Sequence, residues 1–276
     1  MRYKFRHHPS RMATLMVTFG GGARAGFGKY PDGMAHLCEH LRFKGTKDYT
    51  AKQLSWKVSI AGGSVNAWTS EDLVNYYISI PEDNITTAFE WMNEIINNPI
   101  FPSDELEKEK HVICQEVRMY KDDINSLVHY AMMETVFDNP LAIPVIGSEE
   151  SVKSITRNHL LDFNKDIYGQ DKRLISLCST SDRQDLVEKY FGKPDDVLTW
   201  RPAFSPNYKP SSVREVVKES QLQNVINVAF AGSQIDEVSK DSASFDVFNK
   251  VFGSGGVSRL FLKVREDLGL VYGIGS

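Results

Sequence analysis

An α+β fold, with a mixed or antiparallel sheet and helices packed on it, is what this sequence predicts. Three observations lead there. Apolar residues make up 41% and charged residues 25% of the 276 positions, which is globular composition with enough length for one large or two modest domains. Segments with a period of two alternate with segments of helical period. They do so without the strict strand–helix–strand beat of a doubly wound sheet.

Taken in order, residues 13–19 (ATLMVTF) form a strand stopped by Gly20, Gly21 and Gly22. A Gly/Pro-rich turn over 27–33 leads into a helix over 34–42. Residues 51–60 follow as a second helix, with Thr50 as N-cap and Ala51, Leu54 and Val58 at helical offsets. Gly62 and Gly63 end it, and 64–68 and 74–80 read as two strands. The segment 85–97 is an amphipathic helix with Ala88, Met92, Ile95 and Ile96 on one side. A long helix over 104–120 opens with acidic residues, where the helix dipole favours them. Helices over 125–137, 151–155, 157–168 and 183–191 and a strand over 174–178 complete this part. A polar, proline-bearing stretch, 202–212, reads as a linker. Beyond it the order strand, glycine loop, helix and strand is echoed: strands over 213–217 and 224–230, helices over 242–252 and 258–268, and a strand beginning at Val271. The expected organisation is a first domain over 1–205 and the beginning of a second over 206–276, a partial duplication of the first.

Charge and cysteine usage narrow the function. Lys+Arg 32 against Asp+Glu 36 gives a net charge of −4, so nothing favours nucleic acid or an anionic membrane. No apolar run approaches the ~20 residues that span a bilayer. Cys38, Cys114 and Cys178 are odd in number and widely spaced, which argues against disulfides or a cysteine zinc site and for a reducing, cytoplasmic setting. The basic start of the chain, with Arg2, Lys4, Arg6 and Arg11, partly mimics a targeting segment.

The chemistry concentrates in His36-Leu37-Cys38-Glu39-His40. Positions i and i+4 of a helix lie about 40° apart around the axis, so both imidazoles reach one metal. Glu39 sits beside that face, where a carboxylate can deprotonate water at the metal. The order is HxxEH, the inverse of HExxH. A catalytic zinc takes three protein ligands, and the long helix offers Glu109 and Glu116 for the third. Seven residues apart, they share a face about 10 Å from each other, so only one can bind the metal directly. The bland alternative for both is a solvated charged face. Val112, Ile113 and Val117 nearby imply instead that part of this helix is buried, and an unpaired buried glutamate is costly. The other histidines, His7, His8, His111, His129 and His159, lack ligand spacing with the motif.

His36 to Thr46 (HLCEHLRFKGT) is similar to HFLEHMLFKGT, the signature of the pitrilysin / mitochondrial-processing-peptidase family of zinc metallopeptidases, the inverzincins. Gly62 to Ser70 (GGSVNAWTS) resembles that family's GG-x-x-NA-aromatic-TS strand, and Glu109 to Asp123 resembles its E-x6-E-x-x-MY-x-DD helix. The resemblance covers nearly the whole chain. It implies one Zn2+ per chain held by His36, His40 and Glu116, with Glu39 as general base for water attacking a peptide carbonyl and Glu109 as a second, non-ligating glutamate. It implies that the strand carrying Asn66 and Ala67 pairs with the backbone of an unfolded peptide substrate, a strand-addition mode. Near the end, GGVSRL over 255–260 and Arg265 to Tyr272 resemble the second-domain element whose arginine and tyrosine hold the substrate carbonyl, here Arg265 and Tyr272. Two departures stand out. Cys38 replaces a large apolar residue and points away from the metal, as a small core residue. The second domain stops soon after Tyr272, which implies either that it is truncated or that a homo- or hetero-oligomer, or a partner chain, completes it. A non-catalytic or partner-dependent subunit is the alternative. A small-molecule metalloenzyme resembling S-ribosylhomocysteine lyases would need Cys114 or Cys178 as third ligand.

Overall fold

Period-two patterning builds the sheet. The computed structural model of the chain describes residues 1–138, 140–195, 207–218, 223–230 and 240–276. In chain order the first elements are β1 (Arg2–His7), β2 (Met12–Phe19), α1 (Met34–Arg42), α2 (Ala51–Ile60), β3 (Ser64–Thr69) and β4 (Val74–Pro81). They are followed by α3 (Ile85–Asn97), α4 (Ser103–Asp122), α5 (Ile124–Val136), α6 (Glu149–Ser154), α7 (Arg157–Ile167), β5 (Arg173–Ser179) and α8 (Gln184–Phe191). The strands form one mixed sheet in the order β1-β5-β2-β4-β3, in which only β1 and β5 run parallel. The fold is α+β, as expected.

Register puts one set of side chains on one face. Val17 lies opposite both Tyr76 and Ile175, and Leu15 opposite both Ile78 and Leu177. All six are buried, together with Ala13, Phe19 and Ile80. On the same alternation Val65, Ala67 and Thr69 of β3 lie opposite Ile78, Tyr76 and Val74. Helix α3 packs on β2 and β4, and α1 packs on β3, α4 and α7. β3 is an edge strand, and its alternate residues Ser64, Asn66 and Trp68 are exposed.

The helix starts follow local chemistry. Thr50 caps α2 in a full capping box with Gln53, as its position implied. α1 starts at Gly33, whose φ of 86° is the left-handed region that glycine enters without strain. A Cβ there would stand 2.6 Å from the Ile146 carbonyl oxygen.

Several expectations are corrected. The first strand is β1, not β2. Its Tyr3 and Phe5 pair in register with Ile175 and Leu177, while the basic residues that resembled a targeting segment alternate onto the other face. Val112 is 43% exposed, because one residue of helix turns it away from buried Ile113. Residues 213–217 and 224–230 form no strand among the described residues, nor does the stretch from Val271. Val213 is 99% exposed and Phe230 87%, and among the described residues neither pairs with a strand. The expected linker is described only from Asn207 onward, where Tyr208 bridges to Phe137; residues 202–206 lie outside the described residues.

Two compact units result, Met1–Ala229 and Phe230–Ser276. The second holds α9 (Lys240–Phe252) and a π-helical stretch, Phe261–Asp267. Among the described residues no helix is long and apolar enough to cross a membrane.

Candidate metal centre

One turn of α1 sets His36 and His40 edge to face, with ring centroids 4.6 Å apart. α4 packs beside α1 and brings Glu116 to them, its Oε2 3.8 Å from His36 Nε2. One ligand atom from each of His36, His40 and Glu116 lies within 4.8 Å of the others. Among the described residues no other group of three potential ligands does so. Glu109, two turns earlier on α4, turns to the far side of His40: its Oε2 is 2.9 Å from His40 Nδ1, and its Oε1 takes the Lys44 ammonium at 2.7 Å.

The donor set fits a zinc ion. An ionised carboxylate only accepts, so His40 Nδ1 carries the proton in this pair and Nε2 keeps its lone pair for a metal. Burial, aided by the neighbouring His40, pushes the His36 pKa down to about 4, which keeps that imidazole neutral and able to ligate near neutral pH. His36 Nδ1 is buried without a hydrogen-bond partner, so nothing competes for the orientation of its ring. For His40, burial pushes downward, but the Glu109 hydrogen bond and the charges of Glu116 and Glu39 outweigh it and raise the pKa. The Glu109 pKa is lowered, first by the His40 hydrogen bond, against burial, with Lys44 adding to the effect. Two imidazole nitrogens and one carboxylate are the protein ligands of an open zinc site, with a fourth position left for water or substrate.

Glu39 lies beside the cluster, 8% exposed. Burial raises its pKa, while a hydrogen bond from Thr69 Oγ1 to its Oε2 at 2.5 Å works the other way. Among the described residues the second carboxylate oxygen, Oε1, has no such donor. Cys38, one residue earlier, is fully buried in the core. Cys114 is buried as well, and the cluster draws on Glu116 instead. His111 is exposed, between the two glutamates but off their face.

The remaining predicted residues fall in two places. Asn66 and Ala67 sit on the β3 edge, where Asn66 Oδ1 accepts the Ala67 N–H at 2.9 Å. Arg265 and Tyr272 come together in the second unit, with the guanidinium 5.2 Å from the Tyr272 ring centre and 4.8 Å from that of Phe261. Tyr272 is 85% exposed. Two residues at the centre escaped the sequence reading, Thr69 and Lys44. Both stand inside the quoted motifs, but their partners lie on other elements, and spacing along one element cannot reveal that.

Comparison with known proteins places the chain. Residues 5–149 match the family described as insulinase (peptidase family M16), and residues 154–276 match the peptidase M16 inactive domain. The chain belongs to peptidase family M16. A protein named "uncharacterized zinc protease" from Rickettsia bellii is 30% identical over 252 residues, covering 89% of this chain and 60% of that protein. The zinc protease YmxG of Bacillus subtilis is 29% identical over 281 residues, 99% of this chain and 67% of its own length. A probable mitochondrial-processing peptidase subunit beta of Schizosaccharomyces pombe is 32% identical over 191 residues, 67% of this chain and 42% of that protein. A peptidase M16 inactive domain structure from Pseudomonas fluorescens superposes with a TM-score of 0.81 at 20% identity, covering 99% of this chain and 67% of that one. The chain therefore spans about 60% of the length of the Rickettsia relative.

Proposed function

We propose that this chain is a zinc-dependent peptidase that hydrolyses peptide bonds in extended or unfolded peptides, with one Zn2+ held by His36, His40 and Glu116. The observation that carries this is the convergence of these three donors within 4.8 Å beside the buried carboxylate of Glu39. Its membership of a family whose members are named zinc proteases supports it. Zinc in such a site acts as a Lewis acid, polarising a peptide carbonyl and acidifying water. Glu39 accepts the proton of the attacking water on Oε1 while Thr69 holds Oε2, and then passes that proton to the leaving amine. An extended peptide adds to the β3 edge at Asn66 and Ala67, with its backbone N–H replacing or joining the Asn66 contact. Arg265 and Tyr272 supply a cation and a hydroxyl for the developing oxyanion. We place the boundary between a first, zinc-bearing domain and a second near residue 205, ahead of the point where the compact units divide.

Zinc content and cleavage of a quenched peptide, measured on the same sample, test this. E39Q is expected to retain zinc and lose cleavage; cleavage by E39Q at the wild-type rate would remove Glu39 as the base. A partner-dependent subunit is the second reading. It is favoured by the match of residues 154–276 to an inactive domain. Zinc binding with cleavage only after a partner chain is added would select it.

A further inference from the structure

We propose that Lys44 is a positioning residue for metal capture: with His40 it grips the two oxygens of Glu109 and so fixes α1 against α4. The inference rests on the reading that His36, His40 and Glu116 hold zinc.

Lys44 follows His40 by four residues, one helical turn, just past the end of α1 at Arg42. The two side chains converge on one carboxylate of α4, His40 Nδ1 on Oε2 at 2.9 Å and Lys44 Nζ on Oε1 at 2.7 Å. The Glu109 side chain is only 7% exposed, so water does little to hold it and these two donors determine its plane. A carboxylate fastened at both oxygens cannot rotate. It therefore holds the His40 proton on Nδ1 and aims Nε2 at the cluster.

The same contact sets the register between the two helices that carry the ligands. His36 and His40 come from α1 and Glu116 from α4, two turns beyond Glu109 on the same face. A slide or roll of α4 that moved Glu116 away from His36 would have to break the Glu109 contacts first. Without Lys44, Oε1 loses its charged donor, the carboxylate swings to find another, and His40 is released with it. The two histidines differ in this respect, since His36 Nδ1 is buried with no partner. The clamp therefore acts on His40. Lys44 is 31% exposed on its side chain, so its substitution leaves the core intact.

The test uses the full chain as wild type, K44M and K44R, with two readouts. Zinc affinity is measured by chelator competition. The tautomer of His40 is read from two-bond 1H–15N correlations of the metal-free protein at alkaline pH. Partners of metal-ligating histidines typically change affinity ~10–100-fold. K44M is expected to bind zinc about tenfold more weakly and to convert the His40 signal from the Nδ1–H tautomer to a mixture, and K44R to restore both. Zinc affinity within about twofold of wild type together with an unchanged His40 signal in K44M would overturn the clamp. So would a wild-type His40 that already carries its proton on Nε2. If K44M fails to fold, K44Q is read in the same two ways. If the wild-type chain binds no zinc at all, the reading of the site fails, while the His40 signals still decide on the clamp.

Discussion

Glu39 depends on a hydroxyl that reaches it from the edge strand. Thr69 Oγ1 fixes one of its oxygens and so restricts the rotation of the carboxylate. T69V keeps the β-branched shape and removes the donor. It is expected to lower kcat about ten- to a hundredfold, the scale of a misplaced catalytic group, with zinc affinity unchanged, and T69S should recover most of the loss. Steady-state kinetics with parallel zinc titrations measures this. His36 yields a prediction about the metal-free protein. Its folded pKa of about 4 lies below the usual histidine value of ~6.5. Between these values the unfolded chain binds the extra proton, so its contribution to stability is present at neutral pH and declines as pH falls from about 6.5 toward 4. His40, shifted the other way, contributes stability at low pH that is lost as pH rises through its raised pKa, so H36N is the comparison that isolates the effect. Urea unfolding across pH should show a weaker acid decline in H36N than in wild type. The histidines and Glu39 are legible in the sequence because they occupy one turn of one helix. Glu109 and Glu116 share a face of α4 and are equivalent by spacing; only the packing of α4 on α1 distinguishes the one at His36 from the one at His40 Nδ1.

α1 is held at both ends by residues outside the chemistry. At its start, Gly33 has φ 86° and its missing Cβ admits the Ile146 carbonyl. G33A combines backbone strain with a backbone clash and is expected to destabilise the fold by about 1–3 kcal/mol. At its end, Arg42 is fully buried. It donates to the Ile95 and Ile96 carbonyls at 2.8 and 3.0 Å, which closes the C-terminal turn of α3, and it also donates to Asn164. Its guanidinium lies 3.5 Å from the Tyr168 ring centre. R42L should cost about 2–4 kcal/mol, since it strips donors from buried carbonyls, and should weaken zinc binding as α1 loosens; urea unfolding and zinc titration read the two effects. At this scale the sequence was most informative where periodicity is strong. α3 and α4 and the β2 and β4 strands lie within two residues of their expected bounds. β1 was missed because six residues with three cations hide two inward aromatics. The strands expected over 213–217 and 224–230 have the right alternation but no described neighbour to pair with, and a strand is a property of two segments rather than one.

Across the molecule, the residues proposed to capture the metal and the residues Arg265 and Tyr272 proposed for turnover belong to different units. His36, Glu39, His40, Lys44, Thr69, Glu109 and Glu116 all lie within Met1–Ala229, on α1, β3 and α4 and the turn after α1, which share its core. Among the described residues the metal cluster draws on the first unit, while in the second α9 leaves Phe245, Phe248 and Val251 more than half exposed. Removal of 230–276 is therefore expected to leave zinc affinity within about twofold of the full chain, because no ligand or clamp residue is lost. Cleavage should fall with it, because Arg265 and Tyr272 go too. R265A and Y272F in the full chain separate the causes. If they reproduce the loss at unchanged zinc affinity, the second unit works through these two side chains; if they cleave as well as wild type while the truncated chain does not, it contributes by another route. Zinc lost on truncation would instead mean that the first unit needs the second to fold, and the division between capture and turnover would fail.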